Sequence, residues 1–136
     1  MHRVLAIFIC IASISFASEP PPSQYVVLPS DRPHRTFAAA YRAGRDDARR
    51  DVARGYFARE EFGRLPVFYD EYVRLAAKRY GIHIKVLAGC IIDEEIEGHA
   101  KGYNEISQAA IDRHFKKDVL SEVAIEVQEK WEKKNR

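Results

Sequence analysis

Residues 81–92 read Gly81-Ile82-His83-Ile84-Lys85-Val86-Leu87-Ala88-Gly89-Cys90-Ile91-Ile92, and this stretch decides how the chain is built. Ile82, Ile84 and Val86 alternate with His83 and Lys85, the period of a strand, and Leu87 to Ile92 continues as a mostly apolar run. Ahead of it lies a helical pattern over about Asp70 to Tyr80. Tyr69, Tyr72, Val73, Ala76 and Tyr80 share one broad apolar face. Asp70 and Glu71 stand at its start, Lys78 and Arg79 in its last turn and Gly81 just past it, which agrees with the helix dipole and with a glycine stop. Earlier still, Tyr56 to Phe62 reads as a shorter strand between Gly55 and the Gly63-to-Pro66 segment. Strand, helix, strand in that order predicts a parallel pair joined by a right-handed crossover.

Helical periodicity extends to both sides of this unit. From about Thr36 to Arg54, the residues Phe37, Tyr41, Gly44, Ala48, Val52 and Gly55 recur at steps of three and four and so lie on one narrow face. Glycine inside a helix costs about 1 kcal/mol against alanine, so Gly44 calls for a close neighbour. Asp46, Asp47 and Asp51 precede Arg49, Arg50 and Arg54 by three residues, a spacing that suits ion pairs along the exposed side. After the central strand, Asp93 is placed to cap a helix over about Glu94 to Lys117. Its expected seam is Ile96, His99, Tyr103, Ile106 and Ala110, with Phe115 near the end; Gly98 and Gly102 add a Gly-x-x-x-Gly step that suits packing against the Gly44 face. A last helix, about Val119 to Lys133, sets Val123, Val127 and Trp131 inward beside Leu120. The expected fold is α+β or small α/β, mostly helical, with about four helices and a small sheet of two or three strands.

The N-terminal end has a different character. Met1-His2-Arg3 is a short basic start, Val4 to Phe16 is apolar apart from Ser13 and Ser15, and Ala17 follows at a small-residue cleavage position. This is the pattern of a signal peptide over residues 1–17, and the apolar run falls short of the roughly 20 residues of a spanning helix. A lipidated Cys10 fits poorly, because Ile9 precedes it where a small residue belongs. Residues 18–34 form a linker dominated by Pro20, Pro21, Pro22, Pro29 and Pro33, within which Tyr25-Val26-Val27-Leu28 could add a short edge strand. Residues 35–136 then make one globular domain. Removing Arg3 with the leader lowers the formal charge from +2 to +1. So balanced a chain has no global field for nucleic acid or an anionic membrane. Of the two cysteines only Cys90 stays in the processed chain, so no internal disulfide can form; with no Asn-x-Ser/Thr sequon either, an exported bacterial protein, periplasmic or secreted, is the expectation.

Chemistry is concentrated between Cys90 and Asn104. A turn from a central strand into a helix is a common location for sites, and Cys90, Asp93, Glu95, His99, Tyr103 and Asn104 all fall there. Cys90 as a thiol nucleophile with His99 as its base is one reading. Against it, the carboxylates of Asp93, Glu94 and Glu95 disfavour a thiolate, and the apolar neighbours Leu87, Ala88, Ile91 and Ile92 suit an inert buried cysteine. Glu95 and His99, one helical turn apart, would need His83 and His114 from elsewhere in the fold to hold a metal, so no metal and no cofactor is expected. Arg42, Arg45 and Arg49 make a basic stripe beside the first helix's apolar face, a candidate surface for an anionic partner that the nearby aspartates weaken. No phosphate loop or nucleophile elbow is present. The expected function is therefore a non-enzymatic exported module that binds a protein or a small ligand through some of Asp93, Glu95, Tyr103, Asn104, Arg42, Arg45 and Arg49. The alternative is a small periplasmic enzyme centred on Cys90 and His99.

Overall fold

The computed structural model describes residues 35–89 and 92–136. Residues 1–34, which hold the expected leader and the proline-rich stretch with Tyr25 to Leu28, and Cys90 and Ile91 lie outside the described residues. Helix α1 (Phe37–Ala53) is followed by strand β1 (Phe57–Phe62), helix α2 (Tyr69–Tyr80), strand β2 (Ile82–Ala88), helix α3 (Glu94–Phe115) and helix α4 (Val119–Lys134). The fold is thus mostly helical α+β, as expected. β1 and β2 run parallel, with Phe57 opposite Ile82, Arg59 opposite Ile84 and Glu60 opposite Lys85, until an irregularity at Glu61/Phe62 sets Phe62 against Ala88. β2 ends at Ala88, and of the apolar run beyond it the described residues Gly89 and Ile92 lie outside the strand.

Local chemistry sets the helix ends. The Thr36 hydroxyl accepts the Ala39 N–H of α1, the Asp93 carboxylate accepts the Ile96 N–H of α3 at 2.8 Å, and the Asp118 carboxylate accepts the Ser121 N–H of α4 at 3.0 Å. α2 ends at Gly81 with φ of 64°, left-handed backbone that glycine adopts without strain.

The sheet has two covered faces with different contents. On one, Ile82, Ile84 and Val86 of β2 meet Tyr72, Val73, Leu75 and Ala76 of α2, Ile111 of α3 and Val119, Leu120, Val123 and Val127 of α4. Burying such a side chain contributes roughly 1.5–3 kcal/mol, so this side supplies most of the hydrophobic stabilisation. On the other face a smaller cluster joins Ala48 of α1, Ala58 of β1 and Tyr103 of α3, with Tyr56 and Ile106 against it.

α1 and α3 cross so closely that their glycines are obligatory. A methyl group on Gly44 would run into the His99 carbonyl and stand 2.9 Å from the Tyr103 nitrogen; one on Gly98 would lie 2.5 Å from the Phe37 oxygen; one on Gly102 would strike the Tyr41 carbonyl. The expected crossing of the Gly44 face with the Gly-x-x-x-Gly step is present. The seam of α3 needs correction, however. Its buried residues are Gly98, Ala100, Gly102, Tyr103, Ser107 and Ile111, whereas Ile96, His99, Ile106 and Ala110 are only half-buried. With glycines against α1 and Tyr103, Ser107 and Ile111 toward the sheet, α3 is covered on two sides, so a single apolar stripe misplaces its inward face. Trp131 also differs from expectation: it is 41% exposed near the end of α4, with its ring 6.2 Å from that of Phe68.

Candidate functional site

The side of the sheet that faces α1 carries charge as well as small residues. Glu60 on β1 is 4% exposed, and its register partner Lys85 points to the same side. Burying a carboxylate is costly unless it is paired and hydrogen-bonded. Glu60 meets that requirement through His99 on α3, whose Nδ1 lies 2.7 Å from its Oε2. The other ring nitrogen, Nε2, lies 3.2 Å from Oδ2 of Asp47 on α1. Two carboxylate acceptors are both met by N–H donors only when the imidazole is doubly protonated, so this pairing favours the cationic form. The bond to Glu60 is the main cause that raises the His99 pKa above its ordinary 6.5; burial opposes it, and Asp47 adds to the rise.

A second charged knot lies beside the first. Lys85 Nζ stands 3.1 Å from Asp51 Oδ2 and 3.1 Å from the Tyr103 hydroxyl, which itself donates to Asp51 at 2.7 Å. The ammonium also lies 4.4 Å from the centre of the Tyr103 ring and 5.3 Å from that of Tyr56. Burial alone would push the Asp51 carboxyl up; the bonds from Tyr103, Lys85 and Arg54 outweigh it and hold the carboxyl below its usual range. Burial and the same carboxylate push the Tyr103 hydroxyl far up, so it remains a neutral donor.

Asn104 secures the strand that carries Glu60. Its side chain accepts the Glu60 N–H at 2.8 Å and donates to the Glu60 carbonyl at 2.7 Å. The Ser107 hydroxyl donates to the Ala58 carbonyl one step along. Side chains of α3 thus close the outer edge of β1, which would otherwise be open to pairing.

Above Glu60 and His99 opens a pocket of about 490 Å³. Arg35, Arg50, Lys85 and His99 bring positive charge to its lining, and Asp46, Asp47, Glu60 and Glu95 bring negative charge. The Glu95 carboxylate accepts the Arg35 N–H at 3.2 Å. A cleft of the same volume lies on the other side of the sheet, lined in part by Arg59, Glu61, Tyr72, Gln108 and Asp118. Both clefts hold pKa-shifted groups, His99 in the first and Tyr72 and Asp118 in the second. Only the first has a buried carboxylate, Glu60, in its lining, and a buried charge beside a shifted group marks functional sites more often than shape alone.

The residues expected from sequence separate in space. His99 and Glu95 line the pocket, Tyr103 lies beneath it in the Asp51 knot, Asn104 serves the edge of β1, and Asp93 caps α3. Cys90 lies outside the described residues. The arginine stripe is divided among local partners: Arg49 pairs with Asp46, Arg45 with Glu105 at 3.2 Å and with the Tyr41 hydroxyl, while Arg42 is exposed. The other histidines do not join His99. His83 stacks on Tyr56 at 4.6 Å and His114 lies 5.0 Å from the Phe57 ring. Among the described residues no group of three or more histidine, cysteine, aspartate or glutamate side chains is arranged to hold a metal ion, and none of the helices is long and apolar enough to cross a membrane.

Sequence reasoning missed Glu60, Asp47, Asp51 and Lys85. One signal was available: Ala58 and Glu60 alternate with Arg59 and Glu61, and small Ala58 marks the inward side. Asp47 and Asp51 are one helical turn apart and suit exposed pairs with arginines, and they do pair with Arg50 and Arg54 while also reaching inward. No family model, curated protein or solved structure matches this chain.

Proposed function

We propose that this chain is an exported, non-enzymatic binding module whose site is the pocket above His99, and that it takes a small polar ligand carrying no net charge, either a zwitterion or a neutral molecule. The observation that supports this reading most is the His99 ring held between the Glu60 and Asp47 carboxylates at the pocket floor. With His99 charged, the four cationic lining groups balance the four carboxylates. A balanced lining offers little to a multiply charged ligand and suits one that presents both signs or only hydrogen-bonding groups.

The same geometry argues against His99 as the base of a thiol enzyme. A general base needs a free nitrogen lone pair within reach of its proton donor, and both nitrogens here face carboxylates. The test is amide chemical-shift mapping on the folded protein with three probes: glycine as zwitterion, inorganic phosphate as anion and putrescine as dication. Saturable shifts with glycine that cluster at Ala43, Leu87 and His99, and weaken in Arg50→Ala, support the reading. Saturable binding of phosphate or putrescine at those amides, with none of glycine, refutes it.

A further inference from the structure

The two edges of the sheet are treated differently. On β1, the Glu60 N–H and C=O point outward to Asn104 and the Ala58 C=O to Ser107. Main-chain groups alternate in direction along a strand, so Arg59 and its neighbours at odd positions bond β2. Opposite them in the parallel register, His83 and Lys85 face β1. The N–H and C=O of Ile84 therefore point away from β1, and those of Val86 follow up to the irregularity at Glu61/Phe62. Among the described residues these groups have no hydrogen-bond partner. Yet Ile84 is 4% exposed and Val86 is 1% exposed, too little for water to serve them. Buried main-chain groups are paired in more than about 90% of cases, so this edge calls for a partner that both covers it and bonds it.

We propose that the outer edge of β2 is the docking site of this chain's own residues 23–28, Ser23-Gln24-Tyr25-Val26-Val27-Leu28. Three arguments single out this occupant. The segment lies between Pro22 and Pro29, and six residues match the six of β1 and seven of β2. Tyr25, Val26, Val27 and Leu28 are strand-forming types, whereas proline cannot donate to a ladder and so sets the limits of the paired segment. The described chain begins at Arg35, which lines the same pocket as Lys85 and Leu87 of β2. Six residues intervene between Leu28 and Arg35, and a chain reaches about 3.3–3.6 Å per residue, so the segment can lie along the whole of β2. Docked there, it supplies the missing hydrogen bonds and brings an apolar side chain to each face of the sheet.

The test is amide hydrogen exchange read residue by residue by NMR on the full chain, alone and with Val26→Pro or Val27→Pro. Only one of these two neighbours has its N–H directed at β2. The expected result is slow, concentration-independent exchange of Ile84 and Val86 in the unaltered chain. It should be raised at least about tenfold by one proline and left nearly unchanged by the other. His83 and Lys85, which bond β1, are the internal control for folding. Should a proline variant lose that control, cross-strand proximity signals between residues 23–28 and 82–88 in the unaltered chain decide instead, and their absence refutes the proposal. Rapid exchange at Ile84 and Val86 in the unaltered chain would overturn it, as would equal rates in all three proteins. Equal acceleration by both prolines rejects a paired strand, and protection that grows with protein concentration assigns the edge to a second copy.

Discussion

Replacing Gly102 by alanine tests the α1–α3 crossing with the smallest possible perturbation, one methyl group. On an open helix that change is worth about 1 kcal/mol in favour of alanine. Here the new carbon would strike the Tyr41 carbonyl oxygen and stand 2.9 Å from its carbon, against an ordinary contact range that begins at 3.4 Å. The helices must therefore part by at least 0.5 Å, the difference between those two distances. The obstructing atoms are main chain, so no rotamer change relieves the clash, and packed interiors yield little. Overpacking costs about 1–3 kcal/mol, and separation also loosens the neighbouring contacts at Gly44 and Gly98, so the clash should outweigh the propensity gain. We expect a net loss of about 1–2 kcal/mol, which for a domain of this size lowers the melting temperature by several degrees at least. Gly89→Ala is the comparison, because a methyl there meets nothing within 4 Å and the backbone is not left-handed. Circular dichroism melts of the two variants beside the unaltered protein give the answer. A Gly102→Ala melting temperature equal to or above that of the parent would show that the crossing is not close-packed.

Two further outcomes follow from the charged floor. His99 has a raised pKa, so its pairing with Glu60 and Asp47 contributes stability that is full below 6.5 and is lost as pH rises through the folded-state value. Urea unfolding should thus show stability falling with rising pH above 6.5, and His99→Gln should flatten that slope; an unchanged slope removes His99 as its cause. Asn104→Asp keeps the acceptor for the Glu60 N–H but loses the donor to the Glu60 carbonyl and sets a carboxylate oxygen against that carbonyl instead. We expect it to cost about 1–3 kcal/mol at neutral pH by chemical denaturation, with partial recovery in acid, where a protonated carboxyl can donate again. A variant as stable as the parent at neutral pH would show that the edge of β1 does not depend on this side chain.

Much of the architecture follows from short-range rules, which is why the sequence by itself determined it. Alternation at Ile82 to Val86 marks β2, dipole-matched charges and Gly81 bound α2, Asp93 caps α3, and the strand–helix–strand order dictates a parallel pair. Gly44, Gly98 and Gly102 announced a close crossing because glycine inside a helix is unfavourable without a compensating neighbour. Direction at longer range was not legible. Periodicity identifies an apolar stripe but not which of two covered sides a helix presents, so the inward side of α3 was misplaced and Trp131 was set too deep. The pocket was hidden for the same reason. Asp47, Asp51, Glu60 and Lys85 come from three different elements and in the linear chain each suits a solvated surface, while His99, on a fourth, reads as a seam residue with no charged partner in sight. Only packing α1 and α3 over one face of the sheet removes them from water, and removal from water is what compels each charge to find an opposite partner.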